Sequence, residues 1–215
     1  GAKYYNYGIH GSGSSNAADA LAAVKTLVLD KKEIVGDELL KALKTNFEGY
    51  DKLREKLLND APKVGNDEEL PDSILKRLFD YFADVCEEIK DNGRGGIVRP
   101  GTGSAMFYVW LANKPWDGML EPVVGATADG RHVGDYFGCS LAPAPGIPVA
   151  GPISVLKSFS GIDYKRVCNG GPITKTLSDT VFRNEESLRK VAELVRTFVA
   201  MGCQQLQLNT INPAI

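Results

Sequence analysis

The residues that could do chemistry in this sequence are few and far apart. His10 stands between glycines in a Gly/Ser-rich stretch that leads into a helix. Glycine has no side chain, so backbone or ligand can approach such a histidine closely. His132, the second histidine, lies between Asp129 and Asp135 in a Gly-rich loop. Turns and solvent explain polar residues in such a loop, so we expect His10, rather than His132, to face a pocket.

Several common reaction types lack their motif. A serine hydrolase needs a positioned nucleophile and base, and the sequence has no Gly-x-Ser-x-Gly. Dinucleotide binding lacks Gly-x-Gly-x-x-Gly. The stretch from Gly8 to Ser15 could bind phosphate at a helix N-terminus. However, no lysine follows in the Walker position and no strand clearly precedes it, so we expect a tight turn there. No metal site is expected, because the candidate ligands do not cluster.

Composition narrows the choice further. Cys86, Cys139, Cys168 and Cys203 are scattered, without Cys-x-x-Cys spacing. Such thiols are typical of a reducing compartment, so we expect a cytoplasmic protein, with the roles of the cysteines left open. The formal net charge is −2, with acids and bases mixed along 215 residues. This balance gives no electrostatic case for nucleic acid or an anionic membrane. No apolar run is long enough for a transmembrane helix.

Helices dominate the predicted elements of residues 1–92. Apolar residues recur at helical spacing in four segments. The first helix is expected to run to about Asp30, with Ser15 or Asn16 as its cap. The second opens at Gly36, the third is short, and the fourth has Pro71 in its first turn.

Residues 93–215 mix strands and helices. Residues 97–99 predict a short strand, and a Gly-rich turn follows it. A helix capped by Asn184 separates two alternating strands, which predicts a parallel βαβ unit over residues 173–211. In the last strand one face is polar apart from its final residue: Gln205, Gln207, Asn209 and Ile211. In a barrel that face would point inward, which suggests a filled or liganded interior.

The loop from Gly125 to Gly146 has the composition of a turn-rich segment, yet it also carries Tyr136, Phe137 and Leu141. A flexible linker has no use for three large apolar side chains, so we expect an ordered loop that packs against the domain. Long ordered loops in compact domains are usually functional. We name this segment the 125–146 loop.

Four phrases, in order, resemble the glycyl radical enzyme superfamily, whose members are pyruvate formate-lyase-like. They are Ala17-Ala-Asp-Ala-Leu-Ala-Ala-Val-Lys25, Asn59-Asp-Ala-Pro-Lys-Val-Gly-Asn66, Gly125-Ala-Thr-Ala-Asp-Gly-Arg131 with its following Ser-Leu-Ala-Pro, and Gln204-Gln-Leu-Gln-Leu-Asn209. The resemblance implies an α/β fold, a ten-stranded barrel with outer helices. Residues 1–215 would form a partial barrel domain, an internal segment from the C-terminal half of a longer chain. It also implies that the packing of the 125–146 loop is structural.

The resemblance further implies an anaerobic radical enzyme that cleaves C–C or C–X bonds of a small carboxylate or polyol. Members are lyases, decarboxylases, dehydratases or formate acetyltransferases. A glycyl radical, installed by an S-adenosylmethionine-dependent iron–sulfur activating enzyme, passes to a cysteine in a homodimeric protein. The motifs for that glycine and that cysteine are not in this sequence. We therefore expect no catalytic residue and no directly bound cofactor in residues 1–215, and no activity from this segment alone.

Candidate substrate-binding residues follow from the same resemblance, from the inward face of the last strand and from the Gly-rich turn. The opening Tyr-Tyr-Asn-Tyr-Gly-Ile-His-Gly resembles members near the arylacetate decarboxylases, in which a histidine at that position can face substrate. We expect His10 as a polar pocket residue and Ile211 as an apolar one, with Thr102 and Ser104 as further candidates in a Gly-rich turn after a strand. The alternatives are a non-catalytic scaffold module or degenerate paralogue of the same fold, and an unrelated α/β binding domain.

Overall fold

The computed structural model describes residue 3 and residues 5–103 and 124–212. The helices in these ranges agree with the apolar periodicity. They are α1 (Ser14–Ala23), α2 (Gly36–Lys44), α3 (Asp51–Asn59), α4 (Glu69–Glu88), α5 (Pro152–Ser160) and α6 (Glu185–Ala200). A π-helical segment, Val24–Asp30, extends α1, so the predicted end at Asp30 is confirmed. Each of these helices is too short or too polar to cross a membrane.

The strands form two parallel pairs. β1 (Tyr7–Gly11) pairs with β2 (Val98–Thr102), and β3 (Pro172–Ser178) pairs with β4 (Gln205–Ile211). Helix α6 connects β3 to β4, so the predicted βαβ crossover is confirmed. As predicted, Asn184 caps α6 by accepting a hydrogen bond from the backbone N–H of Ser187.

Two local expectations near the start of the chain are wrong. The stretch taken for a loop without a preceding strand contains β1, in which two glycines break the usual apolar alternation. Ser15 and Asn16 do not cap α1, because they lie inside it and are buried. The residue that precedes α1 is Gly13, whose φ is +64°.

The end of the 125–146 loop links the two strand pairs. The backbone N–H of Ser140 donates to the carbonyl of Gly103, next to the end of β2, over 2.9 Å. The adjacent Leu141 forms a parallel bridge with Ile173 of β3. Leu141 is fully buried and Phe137 is half-buried, as predicted, whereas Tyr136 is 53% exposed, so the prediction that it packs is wrong.

Helices cover one face of the strands. One apolar cluster joins α4, α5 and α6 to Ile173 of β3, and Leu206 of β4 packs against it. A Cβ on Gly11 would lie 3.7 Å from the ring of Phe82, which places α4 over the same face of β1. A second cluster fills the space between the π-helical segment, α2 and α3. The opposite face of the strands is exposed, and it is the candidate site.

Candidate functional site

The exposed face of the strands is lined by polar side chains. On β4 the burial alternates: Gln205, Gln207 and Asn209 are exposed, whereas Leu206 and Leu208 are half-buried. This alternation confirms the predicted division of β4 into two faces. In the strand register these three exposed residues stand beside Pro172, Thr174 and Thr176 of β3, respectively. We call the side chains on this side of the strands the polar strand face; they are exposed apart from Thr174, which is half-buried and whose Oγ1 is buried. It comprises His10, Arg99, Asn169, Thr174, Thr176, Gln205, Gln207, Asn209 and Ile211.

Glycines position His10 within this face. His10 lies opposite Gly101 in the β1–β2 register, and Gly8 lies opposite Arg99. A Cβ on Gly8 would be 3.3 Å from His10 Nε2, and one on Gly101 would be 3.3 Å from His10 Cδ2. The imidazole therefore lies over the space that two missing side chains leave, with Nε2 toward the level of Arg99.

Asn169 closes the end of β2. Its amide nitrogen donates to the carbonyl of Thr102 over 2.6 Å, and its amide oxygen accepts from the backbone N–H of Thr102 over 2.9 Å. The side chain thus imitates a neighbouring strand along the free edge of β2. A Cβ on Gly101 would be 2.9 Å from Asn169 Cγ, so Asn169 and His10 flank the same glycine.

The turn after Asn169 also reaches the second strand pair. A Cβ on Gly170, whose φ is +92°, would lie 2.5 Å from the side-chain oxygen of Gln205. Gln207 and Asn209 are joined farther along β4 by a side-chain hydrogen bond of 3.1 Å. Amide groups therefore line the face from the end of β2 along β4, and each can donate or accept a hydrogen bond.

The structure separates the sequence candidates. His10 and Ile211 lie on the polar strand face, and Ile211 is 54% exposed. Thr102 is one residue past the His10 level, so its side chain projects toward the opposite face. It is 1% exposed and close to Asn169. Ser104 lies outside the described residues. Substrate contact by these four residues stays a prediction.

The 125–146 loop is held on the helix side by Arg131. Its side chain donates to the hydroxyl of Thr127 and to four backbone carbonyls, those of Val124, Gly125, His132 and Asp135. All five N–H groups of the guanidinium are thereby used by acceptors in the loop and in the residue that precedes it. Its carbon Cζ lies 4.0 Å from the ring centroid of Phe137. Arg131 therefore has no donor left for a ligand.

Helix α1 holds the same loop through the two residues that were expected to cap it. Asn16 donates to Asp129 over 2.6 Å and accepts from the backbone N–H of Gly138 over 2.8 Å. Ser15 donates to the carbonyl of Ala142 over 2.6 Å. These bonds join three points of the loop to one helix turn, so the loop is part of the frame of the domain.

Buried charge lies beneath this frame. Asp19 is fully buried and accepts a hydrogen bond from the backbone N–H of Val64 over 2.7 Å through Oδ1, whereas Oδ2 has no partner. Burial raises the pKa of Asp19 to about 7 against the partial compensation of that bond and of Lys63. Burial also lowers the pKa of Lys63, whose ammonium group donates to the carbonyl of Leu57. The charged form of Asp19 is thus disfavoured in the fold.

His132 and Asp135 also have structural partners. His132 Nδ1 lies 3.1 Å from the carbonyl oxygen of Asn46, and its ring meets Phe47 edge to face at 5.6 Å. Asp135 accepts from the backbone N–H of His132 over 3.1 Å. Over residues 5–103 and 124–212, no group of three His, Cys, Asp or Glu side chains could hold a metal ion.

Comparison with known proteins identifies the family. The family model described as pyruvate formate lyase-like matches residues 1–112, which is just over half of the chain. The chain belongs to the pyruvate formate lyase-like family. The solved relatives are glycyl radical enzymes, including one from Archaeoglobus fulgidus. The predicted family and the predicted α/β barrel fold with outer helices are therefore confirmed.

Three matches show the range of this family. Trans-4-hydroxy-L-proline dehydratase from Clostridioides difficile is 30% identical over 99% of this chain and 26% of its own. Indoleacetate decarboxylase from Tractidigestivibacter scatoligenes is 26% identical over 94% and 24%. The glycerol-bound structure of B12-independent glycerol dehydratase from Clostridium butyricum has a TM-score of 0.87, with 28% identity over 99% and 26%. The chain spans about a quarter of the length of these relatives.

Sequence reasoning missed two residues of this pyruvate formate lyase-like chain that shape the face. Arg99 was placed in a strand but given no role, although its alternation with Gly101 sets its side chain beside His10. Asn169 was assigned only to a turn, because the Asn-Gly-Gly sequence is typical of one. No local pattern indicates that its amide pairs with a strand 67 positions earlier in the chain.

Proposed function

We propose that this chain forms part of the barrel wall of a glycyl radical lyase or dehydratase, and that its polar strand face borders the substrate. The observation that carries the proposal is the contrast between the two faces of β3 and β4. Ile173 is fully buried beneath helices, and Leu206 packs beside it. The other face carries the exposed amides of β4 and the exposed residue Thr176 of β3. A polar, uncovered inner face suits a small substrate rich in oxygen.

The chemistry would come from the rest of the protein. In this family a glycyl radical made by an activating enzyme starts the reaction. The residues of this chain would bind and orient the substrate: the amides of β4 by hydrogen bonds to hydroxyl groups, and His10 through Nε2. Ile211 would supply an apolar contact at the end of the row.

Relatives support cleavage of C–O or C–C bonds without fixing the subclass. Dehydratases remove water, and the indoleacetate enzyme removes carbon dioxide. The arylacetate decarboxylase subclass remains part of our proposal, carried by His10. A requirement for an activating enzyme and a homodimeric state are proposed on the same family grounds.

The test uses the complete protein, incubated anaerobically with its activating enzyme and S-adenosylmethionine. Electron paramagnetic resonance would report the glycyl radical, and product analysis would follow glycerol, trans-4-hydroxy-L-proline and indoleacetate. We expect His10→Ala to lower kcat/KM about 10- to 100-fold on the accepted substrate with an unchanged radical yield. Val199→Ala, an exposed position on α6, is the matched control.

The outcomes separate this proposal from its alternatives. Failure of the complete protein to form any radical would favour a scaffold module or a degenerate paralogue. If the radical forms and kcat/KM is unchanged in His10→Ala, this residue does not belong to the substrate site.

A further inference from the structure

We propose that the polar strand face selects substrates that carry a carboxylate or sulfonate, and that Arg99 binds this anionic group with the assistance of His10. The inference rests on the proposed function, since it names the substrate class of the same face. It assigns a role to Arg99, which lies in the middle of a short strand and whose side chain has no evident structural task.

The strand register brings the two side chains together. Arg99 stands opposite Gly8, and His10 is two residues beyond Gly8 on the same strand, so both side chains project from one face. The histidine ring leans back toward Gly8, with Nε2 3.3 Å from where a Cβ would be. Because Gly8 has no side chain, no Cβ stands between the ring of His10 and the level of Arg99. The two side chains therefore leave one face of the strand pair at neighbouring levels.

Arg99 is exposed. It takes part in none of the ion pairs or side-chain hydrogen bonds found over residues 5–103 and 124–212. Arg166, by contrast, lies 2.7 Å from Asp84 and 2.9 Å from Glu87. An arginine on a site-facing surface without a carboxylate partner is available to bind an anion through its planar fork.

No acidic side chain of the polar strand face, over the described residues, neutralises the positive charge of Arg99. The other polar members in the described ranges are amides and hydroxyls, and none is acidic. Lys175, the lysine of β3, projects to the helix-covered side together with Ile173. The face therefore combines one permanent cation with neutral groups that suit hydroxyls. A hydroxy acid or hydroxy sulfonate can bind both the cation and the neutral hydrogen-bonding groups, whereas a neutral polyol can bind only the neutral groups.

The test measures binding to the complete protein before activation, so that no radical is needed. Isothermal titration would compare isethionate and trans-4-hydroxy-L-proline with glycerol, at low and at raised salt. The variants are Arg99→Gln and Arg99→Lys. Arg94→Gln is the matched control, because Arg94 is an exposed arginine that stacks on Tyr7 at 5.4 Å.

We expect at least one acid to bind more tightly than glycerol. Arg99→Gln should weaken that binding about 10- to 100-fold, as for the loss of a charge-assisted contact. Arg99→Lys keeps the charge but not the planar fork, so its affinity for the acid should lie between those of the unmodified protein and Arg99→Gln. Arg94→Gln should bind the acid as the unmodified protein does. Raised salt should weaken the binding of the acid and leave the binding of glycerol unchanged.

Three results would overturn the inference: both acids fail to bind, glycerol binds as tightly as the acids, or Arg99→Gln binds the acid normally. Each is distinct from failure of the proposed function, which is read from the radical and from turnover. An activated protein that turns over only neutral diols would refute the anion preference and leave the radical lyase intact.

Discussion

Arg131 offers the sharpest test of how the 125–146 loop is held. The informative change is Arg131→Lys, because it keeps the positive charge and removes the fork. Arg131 is 5% exposed and donates to one hydroxyl and four carbonyls. An ammonium group has about three N–H donors on a single atom, so at least two of those acceptors lose their partner.

The size of the effect follows from those acceptors. A buried acceptor left without a hydrogen bond costs roughly 1–3 kcal/mol. Two such losses, with some relaxation of the loop toward water, predict that Arg131→Lys lowers the free energy of unfolding by about 2–4 kcal/mol. The lost guanidinium contact with Phe137 acts in the same direction.

Urea unfolding followed by circular dichroism measures the change, and hydrogen exchange locates it. The amide of Gly138, bonded to Asn16, should lose protection in Arg131→Lys. Arg183→Lys is the matched control, because the Arg183 side chain is 60% exposed in its ion pair with Asp179 and the pair should contribute less than about 1 kcal/mol. An unchanged urea midpoint together with unchanged protection of Gly138 would refute the clamp.

Three further changes probe other parts of the fold. Because the folded pKa of Asp19 is raised to about 7 from 3.8, stability should fall as pH rises between these values and level off above. Asp19→Asn should reduce this loss of stability by at most ~4 kcal/mol in urea titrations at several pH values. A smaller loss should persist, because burial also raises the pKa of Asp72, to about 6; a pH dependence unchanged from that of the unmodified protein would contradict the prediction. Gly101→Ala would place Cβ 2.9 Å from Asn169 Cγ and should cost about 1–3 kcal/mol in thermal unfolding, unlike Gly125→Ala, which has open space. Asn184→Ala should cost about 1 kcal/mol by urea unfolding; no loss would argue against the cap.

The regular elements could be predicted where one physical signal was dominant. The stripe of α6, its Asn184 cap and the two faces of β4 follow from period and local hydrogen bonding. β1 could not be predicted in this way, because the glycines that accommodate His10 remove its alternation. The strand predicted over residues 97–99 continues in the structure through Pro100 to Thr102, where the sequence suggested a turn. Pro100 is tolerated in β2 because its carbonyl, and thus its missing N–H, faces Cys168 rather than β1.

The candidate site was predictable only in part. The polar alternation of β4 indicated its exposed face, and the glycines around His10 indicated close approach. Asn16 and Asn169 could not be found, because their partners lie more than 60 positions away and are chosen by the tertiary fold. A side-chain amide carries no local signature of whether it will cap its own helix or join a distant loop.

The use of hydrogen-bond donors distinguishes frame from site in this chain. Arg131 and His132 lie in the loop whose sequence first suggested chemistry, yet the guanidinium is saturated by carbonyls and the imidazole leans on Phe47. Arg99 and His10 lie on the strands, and they make none of the side-chain hydrogen bonds found in the described part of the chain. A saturated donor can stabilise only the fold, whereas a free donor on an exposed polar face can still bind a ligand. By that criterion the 125–146 loop belongs to the frame of the domain, and we propose that recognition belongs to the strands.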